Sequence, residues 1–240
     1  MATIKPLKKI FLSQVGAEIP ADKPIVFWDT CSLIYILTIA VRESFPDFPS
    51  YKEVLSWIEN DDIVSVTSSI VWEEFNNHYK EEYEHAKHDV DKLRELIRNY
   101  ASLQDEPVKS QLIGLADSIN LIDILVDIEA RVWNKTFVIN EEQKLAELAH
   151  YRVLHKWSPS MVKDQYKDAY IWCSFLSVAQ NLGRVTKLFI TDNKEDYCMP
   201  KKSTTPQPQI ASDCEAVGAD IVFHIDSLRG KLYVALHPEP

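Results

Sequence analysis

The stretch from Ile25 to Leu37 constrains this chain more than any other. Ile25-Val26-Phe27-Trp28 is short, β-branched and aromatic, follows Pro24 and closes on Asp29, which predicts a buried strand over 25–29. A carboxylate there stands where a parallel strand meets its following helix. In open α/β sheets that carboxyl edge is where ligands bind. Thr30 and Ser32 serve either as helix caps or as hydroxyls that orient Asp29. Leu33 to Val41 reads as the first helix, broken by the stretch from Arg42 to Pro49. The rest of the chain decides whether other carboxylates converge on Asp29.

The 240 residues, 46% of them hydrophobic, suffice for one core with room for one large insertion. Cys31, Cys173, Cys198 and Cys214 lack paired spacing. That speaks against a zinc ribbon or a disulfide framework and fits a reducing, cytosolic interior. Lys5 through Leu12 is basic with only a brief apolar run, so neither an export signal nor a membrane span is expected. A net charge of -10 argues against a general nucleic-acid coat. It leaves room for an enzyme whose site collects carboxylates and whose basic contacts are local.

The strand-then-acid pattern recurs. Tyr51 to Ile58 reads as a helix, Ile63 to Thr67 as a second strand, and Ser68-Ser69 as caps for a helix carrying Glu73 and Glu74. Further on, Asp168 opens an apolar helix from Ala169 to Ala179, with a left-handed cap expected near Asn181-Leu182-Gly183. Asp164 lies one turn earlier. Leu188 to Thr191 is a buried strand running into Asp192, Asn193, Glu195 and Asp196. A helix around Ala211 to Val217, a last core strand from Ile221 to Ile225 and a short strand from Leu232 to Leu236 complete the pattern.

The middle of the chain differs in character. Tyr79, Tyr83, Ala86, Val90, Leu93, Ile97 and Tyr100 recur at steps of four and three, and Leu112, Leu115, Ile119, Ile122 and Val126 do the same beyond a break at Gln104 to Pro107. Two such stripes predict an antiparallel helical hairpin. His78, His85 and His88 have no framing carboxylate–histidine motif and are not read as a metal site. Another helix follows Asn140, capped by it with Gln143 three residues on. Between Tyr151 and Lys167 the charge turns basic, with Arg152, Lys156, Lys163 and Lys167 against the single Asp164. That stretch is either a solvated surface or a hold for a phosphate backbone.

Each acid alone has a bland reading as a turn residue or a complement to a helix dipole. Acids at the ends of several strands of one parallel sheet are harder to dismiss. Three or four carboxylates held close raise one another's pKa unless a cation is bound, and magnesium or manganese is the natural occupant. Such a site polarises a phosphoryl group and supplies hydroxide for in-line attack on a phosphodiester. The chain lacks a glycine-rich phosphate loop.

Asp29-Thr30-x-x-Leu33-Ile34, Ser69-Ile70-Val71-Trp72-Glu73-Glu74-Phe75, Lys167-Asp168-Ala169-Tyr170-Ile171 and Ile190-Thr191-Asp192-Asn193-x-x-Asp196-Tyr197 together resemble the PIN domain in order and setting. The resemblance covers residues 24–78 and 158–226. The helical stretch of about 79–157 looks like an insertion, as in larger bacterial PIN-like proteins. It implies one domain over 1–240: a three-layer α/β/α sandwich with a central parallel sheet and a helical insertion. The implied activity is that of a magnesium- or manganese-dependent nuclease, usually acting on RNA.

Carried over residue by residue, Asp29, Glu74, Asp168 and Asp192 match the catalytic and metal-binding acids, with Glu73 the alternative to Glu74. Asp196 is a further metal ligand or a residue orienting one. Thr30, Thr191 and Asn193 orient the ligands, and Lys163 and Lys167 place the RNA. Cys31 stands where the family often has asparagine. The expected function is a cytoplasmic, metal-dependent endoribonuclease, either a toxin or a phage-defence nuclease. Its expected partners are RNA, an antitoxin or other protein, and a second copy of the chain, with no membrane. The alternative is a PIN-like scaffold that binds RNA or protein without cutting. A haloacid-dehalogenase-type phosphatase needs a second aspartate two residues after the first, where this chain has Cys31.

Overall fold

In the computed structural model, residues 8–38, 47–161, 165–199 and 204–238 are described. Within them six strands form one all-parallel sheet: β1 (Lys8–Ile10), β2 (Ile25–Trp28), β3 (Val64–Ser68), β4 (Phe137–Ile139), β5 (Lys187–Ile190) and β6 (Asp220–Val222). Their order is β1-β4-β3-β2-β5-β6. The chain builds outward from β2 through β3 to β4, then returns to the other side of β2 with β5 and β6. The sheet's topological switch therefore falls between β2 and β5, paired in register from Ile25↔Lys187 to Trp28↔Ile190. A crevice opens at the carboxyl ends of strands at such a point.

Helices cover both faces. After β2 come α2 (Thr30–Thr38) and α3 (Phe48–Glu59), and after β3 come α4 (Ser69–Ala101), α5 (Glu106–Ser118) and α6 (Leu121–Lys135). The remaining helices are a short α1 (Val15–Glu18), α7 (Gln143–Leu154), α8 (Tyr166–Asn181), α9 (Lys194–Tyr197), α10 (Pro208–Val217) and α11 (Ile225–Leu236). On one face α2, α3, α6 and α11 pack together, and on the other α8 is flanked by α7 and α10. This is the three-layer α/β/α sandwich expected from the sequence.

β2 is buried at all four positions because helices lie on both sides of it. An aromatic cluster fills the core beneath its end. Phe27 meets Phe175 at 5.7 Å between ring centroids, and Trp172 meets Phe189 edge-on at 5.2 Å. Tyr197 joins the cluster through Trp172 and Phe189. Each such pair adds about 0.5–1.5 kcal/mol beyond area burial, so the floor of the switch-point crevice is rigid.

Several elements differ from the sequence expectations. Residues 232–236 are helical: Ile225, Leu228 and Leu232 are buried at helical spacing, making this end part of α11. The segment expected as a helical insertion contains β4, which joins the sheet between β1 and β3, and α7, which packs on α8. The hairpin is present: Arg98 pairs with Asp117 at 2.7 Å and Arg94 donates to the Ile119 carbonyl, so α5 runs back along α4. Its second stripe is divided between α5 and α6, with the break at Ile119-Asn120. The N-cap of α7 is Glu142 rather than Asn140.

No left-handed residue ends α8, since Leu182 is extended at φ -112. The buried Lys187 ammonium takes over instead, donating to the carbonyls of Ala179, Leu182 and Val217. The left-handed cap occurs at Gly218, φ +61, after α10. Among the described residues no helix is long and apolar enough to cross a membrane.

Candidate active site

Asp29 lies at the switch point because β2 ends there and α2 begins. Its N–H donates to the Ile190 carbonyl at 3.1 Å, extending the β2–β5 ladder by one bond, and its carbonyl accepts from Leu33 N at 3.3 Å, opening α2. The side chain is 4% exposed. Oδ1 accepts from Thr30 N at 2.7 Å, and Oδ2 accepts from Thr191 Oγ1 at 2.6 Å and from the Cys31 thiol at 3.3 Å. Burial raises the Asp29 pKa, those three donors work against it, and the nearby charge of Glu74 adds to the rise. Burial, followed by the charge of Asp29, pushes the Cys31 thiol up as well, so it donates as a protonated thiol.

Thr30 links the first acid to the second. While its N–H serves Asp29, its Oγ1 donates to Glu74 Oε2 at 2.7 Å. Glu74 reaches this point because Ser68 caps α4 through Val71 N, which places the acid in the second turn. Its other oxygen accepts from Lys167 Nζ at 2.9 Å. That bond raises the lysine's pKa. Glu73, on the same turn, is exposed.

Asp168 lies in the first turn of α8 and is half-buried. Burial, followed by the charges of Asp29, Asp196 and Glu74, pushes its pKa up to about 7, with Lys167 opposing. Asp196, on α9, is held by Gln165 Nε2 at 2.9 Å and Asn193 Nδ2 at 2.7 Å. Asn193 is itself anchored, its N–H donating to Thr191 Oγ1 at 3.0 Å. The Asp196 carbonyl accepts from Ser158 Oγ at 2.8 Å. One charge-coupled group therefore contains Asp29, Glu74, Asp168 and Asp196.

Asp192 stands apart from that group. It is exposed, it lines a neighbouring cleft, and its charge acts on Tyr51. The cause is the alternation of a strand: Thr191 turns toward Asp29, so the next residue turns away. Asp196 returns to the acids because the turn of α9 carries it back. Gln165 and Cys31, which sequence reasoning gave no place among the acids' donors, are part of the network. Lys163 and Asp164 lie outside the described residues.

A family model described as PIN domain matches residues 26–197. The chain belongs to the PIN-domain family. No curated protein and no solved structure matches it. PIN domains are generally nucleases, typically use divalent metal ions and imply RNA as the ligand class.

The donor set fits such a cation in its chemistry. All four donors are carboxylates, the hard oxygen ligands that magnesium and manganese prefer. Burial raises the pKa of both Asp29 and Asp168, the charges of the neighbouring acids add to it, and a cation would offset both causes. Among the described residues, no three His, Cys, Asp or Glu side chains are grouped closely enough to hold one ion as they stand. Lys167 supplies the local positive charge instead.

Proposed function

We propose that this PIN-domain chain is a metal-dependent endoribonuclease that hydrolyses RNA phosphodiester bonds. Magnesium or manganese is held by Asp29, Glu74 and Asp168, with Asp196 as a further ligand. The observation that carries the reading is the coupling of these four acids at the switch point of a parallel sheet. When bound, the cation supplies phosphoryl polarisation and lowers the pKa of water.

The chain's own residues do the rest. Thr191 and Thr30 fix Asp29 and Glu74, so the acids are oriented before substrate arrives. Asn193 and Gln165 do the same for Asp196. Lys167, exposed at its head, would be free to bind a phosphate oxygen were Glu74 to hold a cation.

The test is cleavage of a fluorescent single-stranded RNA, and of the equivalent DNA, by wild type and Asp29→Asn in magnesium. A loss of roughly 100-fold or more is expected in the variant. Equal rates would sink the proposal. Manganese titration by calorimetry separates the non-cutting scaffold, which binds no metal and cuts nothing with the wild-type chain.

A further inference from the structure

A second hollow lies on the same carboxyl edge, separated from the acids by the Asp29–Thr191 bond. It is a cleft of about 210 Å3 lined by Tyr35, Tyr51, Asp47, Asp192, Phe223 and His224. Ser32 and Thr191 belong to its wall and also stand beside Asp29. The volume lies below the roughly 300–1,000 Å3 of a site for a drug-sized ligand. It suits a single planar ring system.

The wall is aromatic and fixed. Tyr35 and Tyr51 stack at 5.5 Å with 24° between their planes, and Tyr51 is 5% exposed, so the pair presents a rigid apolar surface. The polar groups around it are nearly all spent. Ser32 Oγ donates to the Ile190 carbonyl at 3.2 Å, Thr191 Oγ1 donates to Asp29, and His224 Nε2 pairs with Lys194 Nζ at 3.0 Å.

The carboxylates of Asp192 and Asp47 are the exceptions. The backbone of Asp192 is pinned on both sides, the N–H donating to Cys31 Sγ at 3.1 Å and the carbonyl accepting from Lys194 N at 2.9 Å. Its carboxylate accepts no hydrogen bond from the described residues, and nor does that of Asp47. The cleft therefore offers a stacking face and carboxylate acceptors. It calls for a flat ligand with adjacent N–H donors.

Guanine meets that description, because its N1–H and N2–H2 are neighbouring donors that reach one carboxylate in parallel. Adenine and cytosine set one amino donor beside a ring acceptor, and uracil sets one donor between two carbonyls; those acceptors face the carboxylate lone pairs. We propose that this cleft is a base subsite for guanine in single-stranded nucleic acid. The ring lies on the Tyr35–Tyr51 stack and Asp192 accepts N1–H and N2–H. Splaying a base onto an aromatic face and reading its Watson–Crick edge is how single strands are recognised with sequence preference. An arginine side chain of a protein partner carries a similar N–H fork, but continuity with the acids through Ser32 and Thr191 favours the base. The inference rests on the nuclease reading only for the strand that delivers the base.

The test is calorimetric binding in EDTA, where no cleavage occurs, using guanosine, inosine and adenosine 5′-monophosphates and a uridine hexamer with one internal guanosine. The guanine nucleotide is expected to bind roughly 5- to 150-fold tighter than the inosine form, which lacks the N2 amine, and than the adenosine form. Asp192→Asn should bring guanine down to the inosine level. Tyr35→Leu should weaken guanine and adenine alike and keep their ratio. The hexamer should bind tighter than the free nucleotide. Equal affinity for guanine and inosine, or a preference that survives Asp192→Asn, overturns the subsite. So does binding of arginine amide where guanine fails to bind. A free nucleotide as tight as the hexamer overturns its assignment to a strand. Because binding is read without turnover, selective guanine binding by a chain that cuts no RNA refutes only the nuclease reading. RNA cleavage without guanine preference refutes only this one.

Discussion

Glu129 offers the sharpest test of the fold's energetics. It lies on α6 at 2% exposure, and neither carboxylate oxygen has a hydrogen-bond partner among the described residues. Burial pushes its pKa well above the ordinary 4.5, and the same burial, with Glu129 as a lesser cause, raises the neighbouring Tyr79 to about 12. The folded chain thus keeps a proton that the unfolded chain releases near pH 4.5. With a raised folded pKa, the stability contribution is fully present below 4.5 and declines as pH rises toward the folded value. The slope is about 1.36 kcal/mol per pH unit for one proton. Glu129→Gln keeps the shape and cannot ionise. Its stability relative to wild type should therefore climb between pH 4.5 and 7.5, at up to about 1.36 kcal/mol per pH unit while the folded carboxyl keeps its proton. For a chain of this size each such unit is about 3–5 °C in Tm. Urea unfolding followed by tryptophan fluorescence at a series of pH values measures it. Titrations of Asp29 and Asp168 are common to both proteins and cancel in the difference. Parallel stability curves across that window would refute the reasoning.

Thr191→Val removes the hydroxyl that donates to Asp29 and accepts from Asn193 N–H. A destabilisation of roughly 1–3 kcal/mol by urea unfolding is expected, with RNA cleavage reduced about 10- to 100-fold; unchanged cleavage would show that the bond does not orient Asp29. Arg152→Met leaves the half-buried Asp213 without its 2.5 Å partner and the Ser158 carbonyl without two donors. Calorimetry should record a loss of about 3–5 kcal/mol, and a loss under 1 kcal/mol would argue that Trp172 Nε1 and Gln209 Nε2 alone satisfy Asp213. Lys167→Met removes an ion pair whose lysine side chain is 64% exposed, so the folded state should change by less than about 1 kcal/mol. The freed Glu74 should bind manganese at least as tightly as in wild type, and a tenfold weakening would show that the lysine does not stand in for a cation.

The parts of this architecture legible in the sequence are those where local pattern and global packing agree. β2 is apolar at every position and β5 at all but its first, Lys187, because helices cover both faces, and a run such as Ile25–Trp28 has few alternatives. The acids at the ends of β2 and β3 follow from the connection, since a strand leading into a helix turns its side chains toward the carboxyl edge. β1 and β4 were hidden by their length. Three residues at Phe137–Ile139 carry no readable period, and they sit between helices whose pattern dominates any window. Lys8–Ile10 becomes a strand only because β4 offers an edge to pair with.

Glu129 was hidden for the opposite reason. A glutamate on an amphipathic helix reads as solvated, yet Leu125, Ile128 and Val132 carry it into the buried stripe of α6. The ending of α8 was out of reach because its carbonyls are capped by Lys187 from β5 and not by a local residue. Asp192 and Asp196, by contrast, were separable in principle. Once Thr191 is taken as facing Asp29, strand alternation directs Asp192 elsewhere, and the turn of α9 brings Asp196 back.

That alternation also explains how one sheet edge can hold two unlike hollows. Thr191 and Cys31 both donate to Asp29, and Cys31 Sγ accepts the Asp192 N–H on the far side. This three-residue knot is the ridge between them. On one flank stand four charge-coupled carboxylates with one lysine on Glu74, a set of hard oxygen donors that suits a cation. On the other flank Asp192, pinned through its backbone, lines a cleft with a tyrosine stack and Asp47, and its lone pairs remain open to a neutral donor. Had Asp192 joined the first group, its repulsion would have fallen on Asp29 and Asp168, both already raised by burial, and the second hollow would have lost one of its two carboxylates. If the first hollow takes a backbone phosphate and the second a base, the ridge at Asp29, Cys31 and Thr191 is what stands between them.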